Sequence, residues 1–118
     1  MTLSSDMELI IRVGSQVLSV DAPSVPDVFS LEQNYPNPFN PKTQIRYALP
    51  EASLVAVTVY DITGRMVKNL VNASKDAGYH SLRWDATNNN GEAVSVGMYI
   101  YTIQAGEYRS TKKMVLLK

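Results

Sequence analysis

The sequence predicts an all-β fold, a small antiparallel sandwich, and three observations carry that expectation. From Thr43 onward, apolar and polar residues alternate in six or so short runs, the period-two signature of half-buried strands. The runs recur about every ten residues and are separated by glycine, asparagine, aspartate and proline, as in sandwiches. No segment holds a 3.6-residue apolar period over a helix-sized window.

Residues 7 to 20 read as a small hairpin. Leu9, Ile11 and Val13 alternate with Glu8 and Arg12, and Gly14-Ser15 offers a two-residue turn with glycine first. A lone hairpin is marginal in water, so it must pack on something. Residues 21–30 hold Pro23, Pro26 and small or acidic residues, and read as a linker.

Then comes Asn34-Tyr35-Pro36-Asn37-Pro38-Phe39-Asn40-Pro41. Three prolines remove three backbone donors and fix three φ angles, so this is neither helix nor central strand. Tyr35 and Phe39 carry large rings that favour burial. The segment reads as a rigid plug over one end of the core, with a proline-rich linker or polyproline ligand as the alternative.

Strands follow at Thr43–Leu49, Leu54–Tyr60, a shorter one at Arg65–Val71, then Tyr79–Trp84, one opening at Gly97, and Tyr108–Leu117. Asp61-Ile62-Thr63-Gly64 is a turn with glycine at its last position, as a type I turn prefers. Asn72 to Gly78 and Asp85 to Glu92 read as polar loops. The expected core is Ile45, Tyr47, Leu49, Val55, Val57, Val59, Val67, Leu82, Trp84, Tyr99, Tyr101, Ile103, Met114 and Leu116.

At 118 residues the chain suits one domain. Eleven acids balance eleven bases, so no global field recruits nucleic acid. A local excess of bases sits at the end, in Arg109, Lys112, Lys113 and Lys118. Without cysteine there is no disulfide and no thiolate zinc site. No apolar run reaches the roughly 20 residues of a transmembrane helix. Met1 to Asp6 lack a signal-peptide pattern, so an export signal would lie on other sequence.

Catalytic chemistry finds little support, and we expect no enzyme, no catalytic residue and no cofactor. His80, the one histidine, shares its phase with Leu82 and Trp84 and reads as a hydrogen-bonded structural residue. Asp85, Asn88, Asn90 and Glu92 form a weak calcium candidate whose spacing misses the EF-hand pattern; asparagine-rich turns also occur for backbone reasons alone. Asn72-Ala73-Ser74 matches a glycosylation acceptor only by its three letters.

Longer motifs say more. Leu31 to Pro41, with Glu32-Gln33-Asn34-Tyr35-Pro36-Asn37-Pro38-Phe39-Asn40 between, continues into Thr43–Pro50. Val59-Tyr60-Asp61-Ile62-Thr63-Gly64-Arg65, Gly78–Asp85, Ser95–Tyr101 and Lys112-Lys113-Met114-Val115-Leu116-Leu117-Lys118 follow in order. Together they resemble the type A C-terminal sorting domains of the bacterial type IX secretion system over residues 31–118. The middle also resembles the immunoglobulin-like domain of the flagellar hook-capping protein.

The resemblance implies an immunoglobulin-like or fibronectin III-like sandwich of about seven strands and no activity of its own. It implies an address label on a larger N-terminal cargo, read by the type IX translocon, its shuttle and sortase-like components. The protein would pass through periplasm and outer membrane to be secreted or held at the cell surface, with no nucleic-acid partner. Residues 1–20 are then a hairpin that ends a preceding region, or one that adds strands to the domain or exchanges between copies.

The candidate recognition residues are Lys112 to Lys118, with Asp61, Gly64 and Arg65. A receptor could add a strand to the terminal edge and read it; equally, Met114 to Leu117 complete the core with lysines as edge guards. Asp61–Arg65 stands between a plain turn and a recognition point. Rival functions are a module that joins or caps extracellular assemblies, self-associating through sheet edges, and a carbohydrate-binding accessory module with an exposed aromatic strip.

Overall fold

The computed structural model describes residues 25–117. The expected hairpin at residues 7 to 20, the first part of the linker and Lys118 lie outside the described residues. Seven strands form two antiparallel sheets: β1 (Ser30–Leu31), β2 (Thr43–Leu49), β3 (Ser53–Asp61), β4 (Met66–Lys75), β5 (Gly78–Trp84), β6 (Gly97–Ala105) and β7 (Tyr108–Leu116). The three-stranded sheet runs β1-β2-β5 and the four-stranded sheet β4-β3-β6-β7. The all-β sandwich expected from the alternation is the fold.

Alternation decides what is inside. In β2, Ile45, Tyr47 and Leu49 are buried while Gln44 and Arg46 are exposed. In β3 and β6, Val55, Val57, Val59, Tyr99, Tyr101, Ile103 and Ala105 fill the space between the sheets. Trp84 anchors one end, with its ring centroid 5.7 Å from Phe39 and 5.4 Å from Tyr99, the latter edge-on. Its indole N–H donates to the Thr87 carbonyl at 2.8 Å, which satisfies the one polar atom of a buried ring.

Two expected core residues, Val67 and Leu82, are only partly buried. Both lie on edge strands, β4 and β5, which are covered from one side only. The third strand of the sequence reading also runs longer than expected. It continues through Asn72, Ala73 and Ser74 to Lys75, paired with Ala56, Val55, Leu54 and Ser53. The polar composition that suggested a loop is that of a solvated edge strand. Register shifts at Val57/Thr58 and Val59/Tyr60 bend this pair.

The proline segment closes one side of the sandwich. Its three X–Pro bonds, at Tyr35-Pro36, Asn37-Pro38 and Asn40-Pro41, are cis. Phe39 is 1% exposed, inside the core, as expected. Tyr35 is the reverse: at 78% exposed its ring points to solvent, contrary to the expected burial. Asn34 takes the interior place instead, 2% exposed. Its amide N–H donates to the Tyr101 hydroxyl at 2.7 Å and its side-chain amide donates to Thr43 Oγ1 at 2.9 Å and the Pro36 carbonyl at 3.2 Å. Those bonds make a buried carboxamide tolerable where an unbonded one would not be.

Candidate functional site

The structure gathers the recognition candidates at one end of the four-stranded sheet. Asp61 at the end of β3 pairs with Tyr99 of β6, and Tyr99 pairs with Met114 of β7. Asp61 and the terminal strand are thus two strand spacings apart, roughly 10 Å. Between and beside them Ile62, Met66, Val96, Met98 and Leu117 expose large apolar side chains.

The turn itself is built from its own side chains. Asp61 Oδ1 accepts the Thr63 hydroxyl at 2.6 Å, the Thr63 amide at 2.9 Å and the Arg65 amide at 3.0 Å. The Asp61 amide donates to the Arg65 carbonyl and Gly64 donates to the Asp61 carbonyl, both at 3.0 Å. Gly64 sits at φ +92°, a conformation that favours glycine. The Thr63 hydroxyl, followed by the Arg65 backbone amide, holds the Asp61 carboxyl down at about 2. Arg65 Nε lies 3.2 Å from Asp61 Oδ2 with its side chain largely in solvent, where such a pair is worth little. Its guanidinium is therefore presented outward.

Strand β7 is an edge strand. Met114 and Leu116 point into the core, while Lys113 and Leu117 are exposed and Lys112 and Val115 lie between those extremes. Its outer backbone is already engaged at the terminal end. The Phe39 amide donates to the Val115 carbonyl at 2.9 Å, the Leu117 amide donates to the Phe39 carbonyl at 2.8 Å, and the Val115 amide donates to Asn37 Oδ1 at 3.0 Å. Gln33 Nε2 donates to the Lys113 carbonyl at 2.7 Å. A partner strand could join without displacing these only around Arg109 to Lys112. Side chains, not a bare edge, are what Val115 and Leu117 offer.

Of the calcium candidates, the Asp85, Asn88 and Glu92 side chains are spent on bonds within their own loop. Asn88 Oδ1 accepts the backbone amides of Asn90 and Glu92 at 2.9 and 3.0 Å, and Asn88 Nδ2 donates to Glu92 Oε1 at 3.0 Å. Asp85 Oδ1 accepts the Thr87 hydroxyl at 2.6 Å, which holds its carboxyl below the usual range. The loop also ties to β4: Asn89 donates from its amide to the Val67 carbonyl, and Asn89 Oδ1 accepts the Asn69 amide at 3.0 Å. Among the described residues no three His, Cys, Asp or Glu side chains group as metal ligands. His80 stacks on Tyr47 at 5.1 Å and bonds through Nε2 to the Asp76 carbonyl at 2.8 Å, so Nε2 carries the proton.

What sequence reasoning missed is the bracing of the site from Gln33, Asn34 and Asn37. A polar residue inside a proline run reads as loop; only its distant partners reveal its place.

No match was found among curated proteins. Among solved structures, the chain is similar to PorZ, an essential bacterial surface component of the type IX secretion system of Porphyromonas gingivalis, at 18% identity and TM-score 0.51, covering 78% of this chain and 12% of that one. It is similar to dimeric latent PorU of the same organism at 23% identity and TM-score 0.60, covering 85% of this chain and 10% of that one. These two likenesses are of fold, and the chain spans about a tenth of either protein. FlgD of P. aeruginosa matches at 27% identity and TM-score 0.50, covering 63% of this chain and 58% of that one. The profile of the FlgD Ig-like domain matches residues 40–108, more than half of the chain. With the seven-stranded sandwich, that match places the chain in the FlgD Ig-like domain family.

Proposed function

We propose that this is a non-enzymatic sorting domain that directs an attached cargo through the type IX secretion system to the cell surface. The observation that carries the reading is the convergence just described. The Asp61–Arg65 turn and the Lys112–Leu117 strand, far apart in sequence, meet at one end of one sheet with exposed apolar side chains between them. A receptor would bury Ile62, Met98 and Leu117 and pair acidic groups with Arg65 and Lys113. The likeness to PorZ and PorU, both from a bacterium with that system, supports the assignment.

The test fuses the whole chain to a reporter in a type IX-competent bacterium. Deleting residues 112 to 118 would remove Met114 and Leu116 from the core, so loss of export there would say little. The informative variants are Ile62→Asp with Met98→Asp, and Lys113→Glu. Both should leave the reporter in the periplasm while the isolated chain keeps its melting temperature within a few degrees. Surface delivery unchanged by both variants rejects the reading.

Membership of the FlgD Ig-like family supports a second reading, a module that joins or caps extracellular assemblies. It predicts self-association of the chain in solution, measurable as mass by light scattering. A monomer at high concentration would reject it.

A further inference from the structure

The outer face of the three-stranded sheet is chemically unlike the rest of the molecule. Lys42, Gln44 and Arg46 share the exposed side of β2 and its approach, and Tyr79, Ser81 and Arg83 share the exposed side of β5. Register places Gln44 beside Arg83, Arg46 beside Ser81 and Ala48 beside Tyr79. Tyr35 lies on the other flank of Gln44, locked there by two backbone bonds of 2.9 Å. Its ring is 78% exposed and that of Tyr79 66%.

Among the described residues, none of the side chains of Lys42, Arg46, Arg83, Tyr35 and Tyr79 is used internally. Among the described residues Lys42, Arg46 and Arg83 make no ion pair, and neither tyrosine hydroxyl has a hydrogen-bond partner. Glu32 lies across from Arg46 through their backbone bond without closing a pair. Exposed aromatic rings cost hydration free energy, and two of them framing three free cations on a flat polar sheet call for a ligand.

We propose that this face binds an acidic polysaccharide. The apolar face of a sugar ring stacks on tyrosine, and sugar carboxylates accept the paired N–H groups of arginine. From Lys42 to Ala48 the face runs roughly 20 Å, long enough for several sugar units. A nucleic acid fits less well. It carries a phosphate every 1.7 Å or so of duplex, and a chain of zero net charge offers only three cations here. This site lies on the opposite sheet from the Asp61–Leu117 end and stands independently of the sorting reading.

The test is calorimetric titration of the full chain with oligogalacturonate, with neutral dextran and an oligo-dT of matched charge as alternatives. Oligogalacturonate should bind, more weakly as salt rises, and dextran should not. Arg46→Gln with Arg83→Gln should weaken binding about tenfold, and Tyr35→Ala with Tyr79→Ala by a similar factor. Arg83→Gln and Tyr79→Ala alone, both on the solvent side of an edge strand, serve if a double variant fails to fold. The proposal is overturned if oligogalacturonate does not bind, if oligo-dT binds as well or better, or if folded tyrosine variants bind as the parent does.

Discussion

Phe39 and Val115 are joined backbone to backbone, the Phe39 amide donating to the Val115 carbonyl at 2.9 Å, while the Phe39 ring packs 5.7 Å from Trp84. One residue therefore fills the core and holds the terminal strand. Phe39→Ala should cost about 3–5 kcal/mol, the usual range for a buried phenylalanine. Denaturant unfolding measures that loss, and hydrogen exchange should show Leu117, whose amide bonds to the Phe39 carbonyl, losing protection more than Tyr101.

Tyr101 accepts the Asn34 amide at 2.7 Å and donates its hydroxyl to the Glu32 carbonyl at 2.7 Å. Tyr101→Phe leaves two backbone groups without partners and should cost about 1–3 kcal/mol.

Burial pushes the Tyr101 hydroxyl up to about 12 from its ordinary 10.0, and burial raises Tyr47 as well. Below pH 10 both states keep the proton and nothing is lost. Between about 10 and 12 the unfolded chain releases it while the folded one holds on, so stability falls as pH rises through that window. Unfolding curves of the parent and Tyr101→Phe should converge there; parallel curves would contradict the linkage.

Asp61 acts at the other extreme. Its folded value of about 2, against an ordinary 3.8, means that its hydrogen bonds stabilise the fold fully above pH 4 and are lost as pH falls toward 2. Asp61→Asn should flatten that part of the stability profile. Carboxyl titration by NMR should place Asp61 near 2, below its ordinary 3.8.

Gly64 has open space where a Cβ would stand, but at φ +92° an L side chain is strained. Gly64→Ala should cost about 1–3 kcal/mol from backbone conformation alone. Gly64→Asn should cost less, since asparagine tolerates left-handed backbone better.

The strands were legible because burial repeats with period two: Ile45, Tyr47 and Leu49 announce a face wherever that face is later placed. The turn at Asp61–Gly64 was legible for a local reason, since its bonds close within five residues. What stayed hidden depends on distant partners. Asn34 is inside and Tyr35 outside because Thr43 accepts from the Asn34 carboxamide and the Tyr101 hydroxyl accepts its backbone amide, and those residues lie beyond any local window. The second half of β4, from Asn72 to Lys75, hid behind polar letters because edge strands need only half a core. The convergence of Asp61 with the terminal strand follows from strand order, which alternation cannot supply.

The bond from Val115 to Asn37 spans 78 residues of sequence. Loops of that length are slow to close and reward the chain late. A polypeptide emerging from the ribosome can assemble hairpins one by one, but the Phe39 backbone and the Asn37 side chain lack their partners until residues 115–117 have been synthesised and released. Fastening of the proline segment to the four-stranded sheet is thus the last step of assembly, and a copy cut short before residue 115 is left with that seam open.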